Sequence, residues 1–253
     1  MRIISAAGCM AVLFLCPLVF AGDHAALKSK VEAAMADDSR PEKQVKRDAN
    51  RKPLETLSFM GLKDDMKVVE LIPGGGWYTR ILAPTLKDKG ELCVAYGTNW
   101  MGDLLQKPGF DKVTLLAPES KVYKPDGARF YKLENEASGL TDADMVLTFR
   151  NYHNFDAYSR KRMNDEVYKM LKVGGVYGVV DHTRRHLEPD NDQNRRRFDP
   201  VLAIKEIQDA GFELIDFTDL HYRPADELKH EVGHKDVTGK TDRWTLKFRK
   251  VKK

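Results

Sequence analysis

The chain has 253 residues, 42% of them hydrophobic and 32% charged, with 11 Phe, 9 Tyr and 3 Trp. This is enough apolar area for a full core, which excludes a disordered chain, a peptide scaffold and a long repeat array. Lys and Arg number 42 against 38 Asp and Glu, a net charge of +4 with both signs interleaved, too small a bias to argue for a nucleic-acid partner.

Residues 1–21 carry one basic residue, Arg2, then an uncharged run from Ile3 to Phe20, and end in Val19-Phe20-Ala21 before Gly22. This pattern predicts a secretory signal peptide cleaved after Ala21, giving an exported, periplasmic or secreted protein with no stable membrane anchor. An uncleaved anchor is the alternative, and Pro17, Gly8 and the charged Asp23 speak against it. Cleavage removes Cys9 and Cys16 and leaves Cys93, so no internal disulfide forms. Within Leu92-Cys93-Val94-Ala95 the remaining thiol reads as a buried, inert strand residue.

Residues 22–66 are predicted to form a helical segment ahead of a single domain over 67–253. Ser39-Arg40-Pro41-Glu42 sets a capping serine three residues before a glutamate, which predicts a helix start. Pro53 to Met60 predicts a second helix, closed by Gly61. From Lys67 short apolar runs alternate with helical ones, the signature of a parallel sheet covered on both faces. The predicted strands are Val68–Ile72, Glu91–Tyr96, Ala128–Leu133, Met145–Phe149 and Val176–Asp181. The intervening helices are Tyr78–Leu86 and Tyr158–Leu171, and another runs from Asp199-Pro200 to Ala210. Phe212–Phe217 and Trp244–Phe248 alternate apolar and polar residues and are predicted to pair as a late hairpin around a polar insert.

The most informative stretch is Glu70-Leu71-Ile72-Pro73-Gly74-Gly75-Gly76-Trp77-Tyr78-Thr79, a strand running into three glycines and then a helix. Glycines let backbone amides approach a ligand, and a helix N-terminus favours an anionic or polar group. At the carboxyl end of a parallel strand this is a ligand-binding position. A tight connection with no ligand is the bland reading. Further landmarks are Arg150-Asn151-Tyr152-His153-Asn154, Leu171-Lys172-Val173-Gly174-Gly175, Val180-Asp181-His182, Arg197-Phe198-Asp199-Pro200 and Gly239-Lys240-Thr241-Asp242-Arg243.

On these motifs in this order, the sequence from about residue 50 onward resembles the class I S-adenosylmethionine-dependent methyltransferases, and within them an exported group of unknown substrate. The resemblance implies a Rossmann-like α/β fold: a seven-stranded sheet, parallel with a late antiparallel hairpin, flanked by helices and preceded by N-terminal ones. It implies S-adenosylmethionine as methyl donor and a small-molecule acceptor. Glu70 matches the family's acid, and Gly74 and Gly76 match two of its glycines, with Gly75 between them and Ile72 in place of the first. Tyr96 stands where an acid usually grips the ribose, and Asn99 is a substitute hydrogen-bonding side chain. Trp77 and Tyr78 are candidates to wall the donor by stacking or cation–π contact, and Asn151 completes the donor-binding set.

Methyl transfer demands alignment and exclusion of water, and a protonated acceptor also needs a base. His153, after the fourth strand, is the candidate base, with Asp181 beside the same crevice. A histidine bonded to a loop carbonyl, and an Asp181-His182 pair serving as cap and surface imidazole, are the structural alternatives. Arg195-Arg196-Arg197 reads as a solvated helix approach. His230-Glu231-Val232-Gly233-His234 matches the zinc-peptidase pattern, but Lys229, Lys235 and Asp236 flank it and Gly233 weakens its helix, so no metal site is predicted. A non-catalytic binding module with the same fold is the competing functional class.

Overall fold

The computed structural model describes residues 18–253, with side-chain surroundings from residue 25 onward. The predicted signal segment lies almost entirely outside the described residues. Among those residues no helix is long and apolar enough to cross a membrane.

In chain order the elements are α1 (Leu18–Met35), α2 (Glu42–Val45), α3 (Asp48–Arg51), α4 (Pro53–Met60), β1 (Lys67–Leu71), α5 (Thr79–Leu86) and β2 (Glu91–Ala95). There follow β3 (Thr114–Leu116), β4 (Lys121–Tyr123), β5 (Lys132–Glu134), β6 (Ala143–Phe149) and α6 (Ala157–Met170). Last come β7 (Leu171–His182), α7 (Pro200–Asp209), β8 (Phe212–Thr218) and β9 (Arg243–Lys250).

Seven strands form one sheet in the order β3-β2-β1-β6-β7-β9-β8. β1, β2, β3, β6 and β7 run parallel, while β9 is antiparallel to both β7 and β8, as the hairpin pattern predicts. Central strands are buried on both faces: Val68, Val69 and Leu71 of β1 are fully covered, which is why they read as continuous apolar runs. One core layer gathers Met163 and Val167 of α6 with Ala203 and Ile207 of α7. The other gathers Leu27 and Val31 of α1, Leu57 and Met60 of α4, and Ile81 and Leu82 of α5. The N-terminal helices therefore complete one face of the sheet.

Two predicted elements are corrected. The third strand of the sheet is Thr114–Leu116, and the predicted Ala128–Leu133 supplies only β5, paired antiparallel with β4 in a separate ribbon. β3 is a short edge strand with Thr114 and Leu115 exposed, so it lacks the apolar run that marks a buried strand. The helix predicted from Ser39 is two single turns, α2 and α3, and Ser39 caps neither; its amide instead bonds Asp37. Elsewhere the punctuation works as read: the helix after Asp199-Pro200 is capped by Asp199 through Val201 N, and Gly61 ends α4 in a left-handed turn, while α6, predicted from Tyr158, starts at Ala157 under a cap from Asp156 to Ser159 N.

Candidate active site

The carboxyl ends of β1, β6 and β7 meet at one edge of the sheet, where parallel strands present their loops. At the end of β1 the chain turns through Ile72 (φ 52°), Gly74 (φ 57°) and Gly76 (φ 73°). A side chain at Gly74 or Gly75 would meet nothing within 4 Å, so the backbone there borders open space. Gly76 differs, because a Cβ would stand 2.1 Å from Leu104 Cδ2. Its absence lets the turn seat on the core.

Glu70 lies beneath this turn and not in it. Its carboxylate is buried at 3% exposure and accepts a hydrogen bond from Thr79 Oγ1 at 2.6 Å, tying the end of β1 to the first residue of α5. Burial pushes its carboxyl up to about 8. The predicted donor-binding acid is thus a brace for the glycine turn.

Asn151 follows β6, and its Nδ2 donates to Ile72 O at 3.1 Å, joining the two loops. Two residues on, His153 is held twice by Asp181 from the end of β7. Its backbone N donates to Asp181 Oδ2 at 2.8 Å, and its Nδ1 lies 2.6 Å from Asp181 Oδ1. Asp181 is fully buried and also accepts from His182 N at 2.7 Å. With Nδ1 facing a carboxylate, His153 carries its proton there, and Nε2 has no hydrogen-bond partner among the described residues. His182, in contrast, is buried against Thr241 Oγ1 at 2.9 Å, and burial together with the neighbouring His153 holds it well below the usual histidine range. The loop-carbonyl and surface-imidazole alternatives are both replaced by a buried Asp–His pair.

His153, Asn151 and Ile72 line a cleft of about 680 Å³, closed on other sides by Trp100, Tyr131, Arg129 and Arg196. That volume suits a nucleoside-sized ligand. Trp100 is 42% exposed and meets Tyr131 edge to face at 6.0 Å, forming an aromatic wall that the sequence reading did not single out. Its signal was an aromatic in a turn directly after β2. The cleft is mixed in charge: Arg129 pairs with Asp190 and Asp192, and Arg196 with Glu231 at 2.6 Å.

Several predicted donor contacts go elsewhere. Trp77 is buried against the N-terminal segment, with Nε1 donating to Gln44 O at 3.0 Å and the Arg51 guanidinium 4.2 Å over its ring. Tyr78 stacks on Phe149 at 3.6 Å. Both join the core because α1 and α4 cover this face, a tertiary fact with no local signal. Tyr96 is buried at 1% exposure with φ 63°, and Asn99 is exposed on a 3-10 turn outside the cleft lining. Of the basic run, Arg195 and Arg196 are exposed, but Arg197 is fully buried and paired with Asp226 at 2.9 Å. His230 and His234 lie in a turn region instead of a helix, their rings stacked at 4.0 Å, and Glu231 is engaged by Arg196. Donor atoms of His230, His234 and Asp236 lie within 4.8 Å of one another at the surface.

No family profile and no curated sequence matches the chain. Solved structures do. A SAM-dependent methyltransferase from Aquifex aeolicus aligns with TM-score 0.54 and 17% identity, covering 88% of this chain and 98% of its own. The 1,6-didemethyltoxoflavin-N1-methyltransferase of Burkholderia thailandensis, solved with its substrate and S-adenosylhomocysteine, aligns with TM-score 0.51 and 14% identity over 96% of this chain and 94% of its own. The cyclase SpnF aligns with TM-score 0.54 and 16% identity over 91% of this chain and 96% of its own. The chain therefore has the fold of the class I SAM-dependent methyltransferases.

Proposed function

We propose that this protein is a SAM-dependent methyltransferase that alkylates a small acceptor bearing a protonated oxygen or nitrogen, and that it is exported by its N-terminal segment. The observation that carries the reading is the convergence, at one edge of the sheet, of an open glycine turn, an aromatic-walled cleft and a histidine held by a buried carboxylate.

The residues present fit an adenosyl donor. Gly74 and Gly75 leave the backbone clear for close approach, Ile72 and Trp100 offer apolar faces in the cleft, and Asn151 is placed to hydrogen-bond there. When bound, the donor supplies an electrophilic methyl group on a sulfonium. Asp181 fixes the His153 backbone through its amide and the ring and its tautomer through Nδ1, so that Nε2 presents a lone pair to the cleft. His153 Nε2 would accept the proton that the acceptor gives up when the donor's methyl group leaves its sulfur for the acceptor, and Asp181 would stabilise the imidazolium that results. Tyr131 and Phe155 help exclude water from this corner of the cleft.

Calorimetry with S-adenosylmethionine and S-adenosylhomocysteine tests the reading, with micromolar binding of both expected and binding of neither overturning it. His153→Ala should lower turnover by roughly 10²–10⁴-fold while leaving donor affinity within a few fold. A second reading, a binding protein or a different catalyst on this fold, is favoured by one observation: the buried Tyr96 occupies the position of the ribose-gripping acid. Tight S-adenosylhomocysteine binding without turnover on any acceptor would select it.

A further inference from the structure

The sheet edge beside the glycine turn holds three arginines that the methyl-transfer chemistry does not use. Buried arginines elsewhere in the chain have carboxylate partners: Arg40 with Asp48 at 2.7 Å, Arg160 with Glu206 at 2.7 Å, and Arg197 with Asp226 at 2.9 Å. Arg51, Arg150 and Arg243 form no ion pair among the described residues, and the Nε of each is buried without a hydrogen-bond partner. Arg51 and Arg243 are only 6% and 5% exposed, and Arg150 is half-buried.

Three distant segments bring them together. Arg51 ends α3 and lies over Trp77, just past the glycines. Its carbonyl is held by His221 Nε2 at 2.9 Å, which fixes the backbone from which the guanidinium extends. Arg150 follows β6 in a left-handed conformation (φ 62°), its amide pinned to Val180 O at 2.6 Å. Arg243 opens β9 opposite His182, the last residue of β7, and gives one Nη to Asn50 O at 3.2 Å. The cluster thus reaches from the glycine-turn side to the His153–His182 side, whose rings are 5.5 Å apart. Each charge opposes the others: burial, then Arg150, holds Arg51 down to about 8, and burial and Arg243 hold Arg150 to about 10. The acids that face them are engaged elsewhere: Asp181, beside Arg150, accepts three hydrogen bonds, Asp242, beside Arg243, accepts from Arg223 N, and the buried Glu70, facing Arg51, accepts from Thr79.

Buried charges without counter-charge cost several kcal/mol each, and an apolar side chain of similar volume avoids that cost. Three guanidiniums gathered at one sheet edge without a carboxylate partner match an oxyanion bearing more than one negative charge. The donor does not meet that need, since its amino-acid end carries one carboxylate against one ammonium and an adjacent sulfonium. We propose that Arg51, Arg150 and Arg243 bind a multiply charged oxyanion, a phosphate or a pair of carboxylates, on the methyl acceptor. The oxyanion site stands on the arginines alone, whereas its assignment to the acceptor rests on the methyltransferase reading above.

The test is thermal unfolding of the full chain with inorganic phosphate or malonate against chloride at equal ionic strength, paired with calorimetry of S-adenosylhomocysteine and of 5′-methylthioadenosine, which lacks the amino-acid end. The midpoint is expected to rise by roughly 3–8 °C with a saturating dianion, and the rise to vanish in Arg51→Gln and in Arg150→Gln but persist in Arg249→Gln, a surface control. The larger of the phosphate and malonate responses identifies the kind of oxyanion. Affinity for S-adenosylhomocysteine should stay within about threefold in both variants. No dianion response in the unmodified chain overturns the site. A parallel loss of S-adenosylhomocysteine binding, with 5′-methylthioadenosine binding kept, assigns the arginines to the donor carboxylate and overturns the acceptor assignment. A dianion response without any S-adenosylhomocysteine binding upholds the oxyanion site and removes the methyltransferase reading instead.

Discussion

Replacing Glu70 by Gln should remove the pH dependence that this buried acid imposes on stability. Glu70 is 3% exposed, its one hydrogen bond comes from Thr79, and its carboxyl sits at about 8 against an ordinary 4.5. A folded-state value above the unfolded one means that folding favours the protonated form. The contribution is fully present below about pH 4.5 and is lost as the pH rises through about 8. The difference between those two values, at about 1.4 kcal/mol per pH unit, amounts to about 5 kcal/mol between acid and pH 9. Gln keeps the shape and a carbonyl oxygen for Thr79 but has no charge to bury. In urea denaturation the two proteins should be within about 1 kcal/mol of each other at pH 5, and the variant ahead by about 4 kcal/mol at pH 9. With an m-value on the order of 3 kcal/mol/M for a chain this long, the gap between midpoints should open by about 1.3 M. Midpoints that move in parallel from pH 5 to pH 9 would show that Glu70 is not a buried, protonated brace.

The glycine turn separates two roles that one motif usually hides. Gly75→Ala should leave the thermal midpoint within about 2 °C, because its Cβ enters open space, yet weaken S-adenosylhomocysteine binding by tenfold or more in calorimetry. Gly76→Ala should cost about 2–4 kcal/mol in chemical denaturation from its positive φ and the collision with Leu104, and adding Leu104→Ala should not restore stability. Asp181→Asn places an amide against one of three donors, leaving a buried N–H unpaired, so the thermal midpoint should drop by roughly 4–10 °C and turnover should fall along with it. Burial pushes the Cys93 thiol up to about 12, so peptide mapping after alkylation at pH 8 should find it unmodified in the native protein and modified in denaturant.

Local signals carried the sequence reading a long way. Strands buried on both faces announce themselves as apolar runs, and Gly, Pro and Asp mark where helices begin and end, so β1, β2, β6, the late hairpin, the start of α7 and the end of α4 were legible. So was the glycine turn, because Gly74 and Gly76 adopt positive φ and Gly76 leaves no room for a Cβ. An exposed edge strand has no such run, and β3 was accordingly displaced to Ala128–Leu133.

Side-chain direction, in contrast, was decided by tertiary packing. Trp77 and Tyr78 stand beside the glycines in sequence but turn into the core, because helices from the first quarter of the chain cover that face. The Asp181–His153 pair joins the end of β7 to the turn after the adjacent β6, and its two hydrogen bonds follow from strand register and not from any motif. Arg51 looks like one more surface charge in a chain with 42 basic residues, and Arg150 and Arg243, though they stand in landmark stretches, carry no local sign that they lie near each other. Only the antiparallel return of β9 and the cover of α3 bury them at one sheet edge. The sequence alone determined the order of elements and the site of the turn, since these depend on residues a few positions apart. What faces the cleft was set by contacts between residues far apart in the chain, which no local pattern encodes.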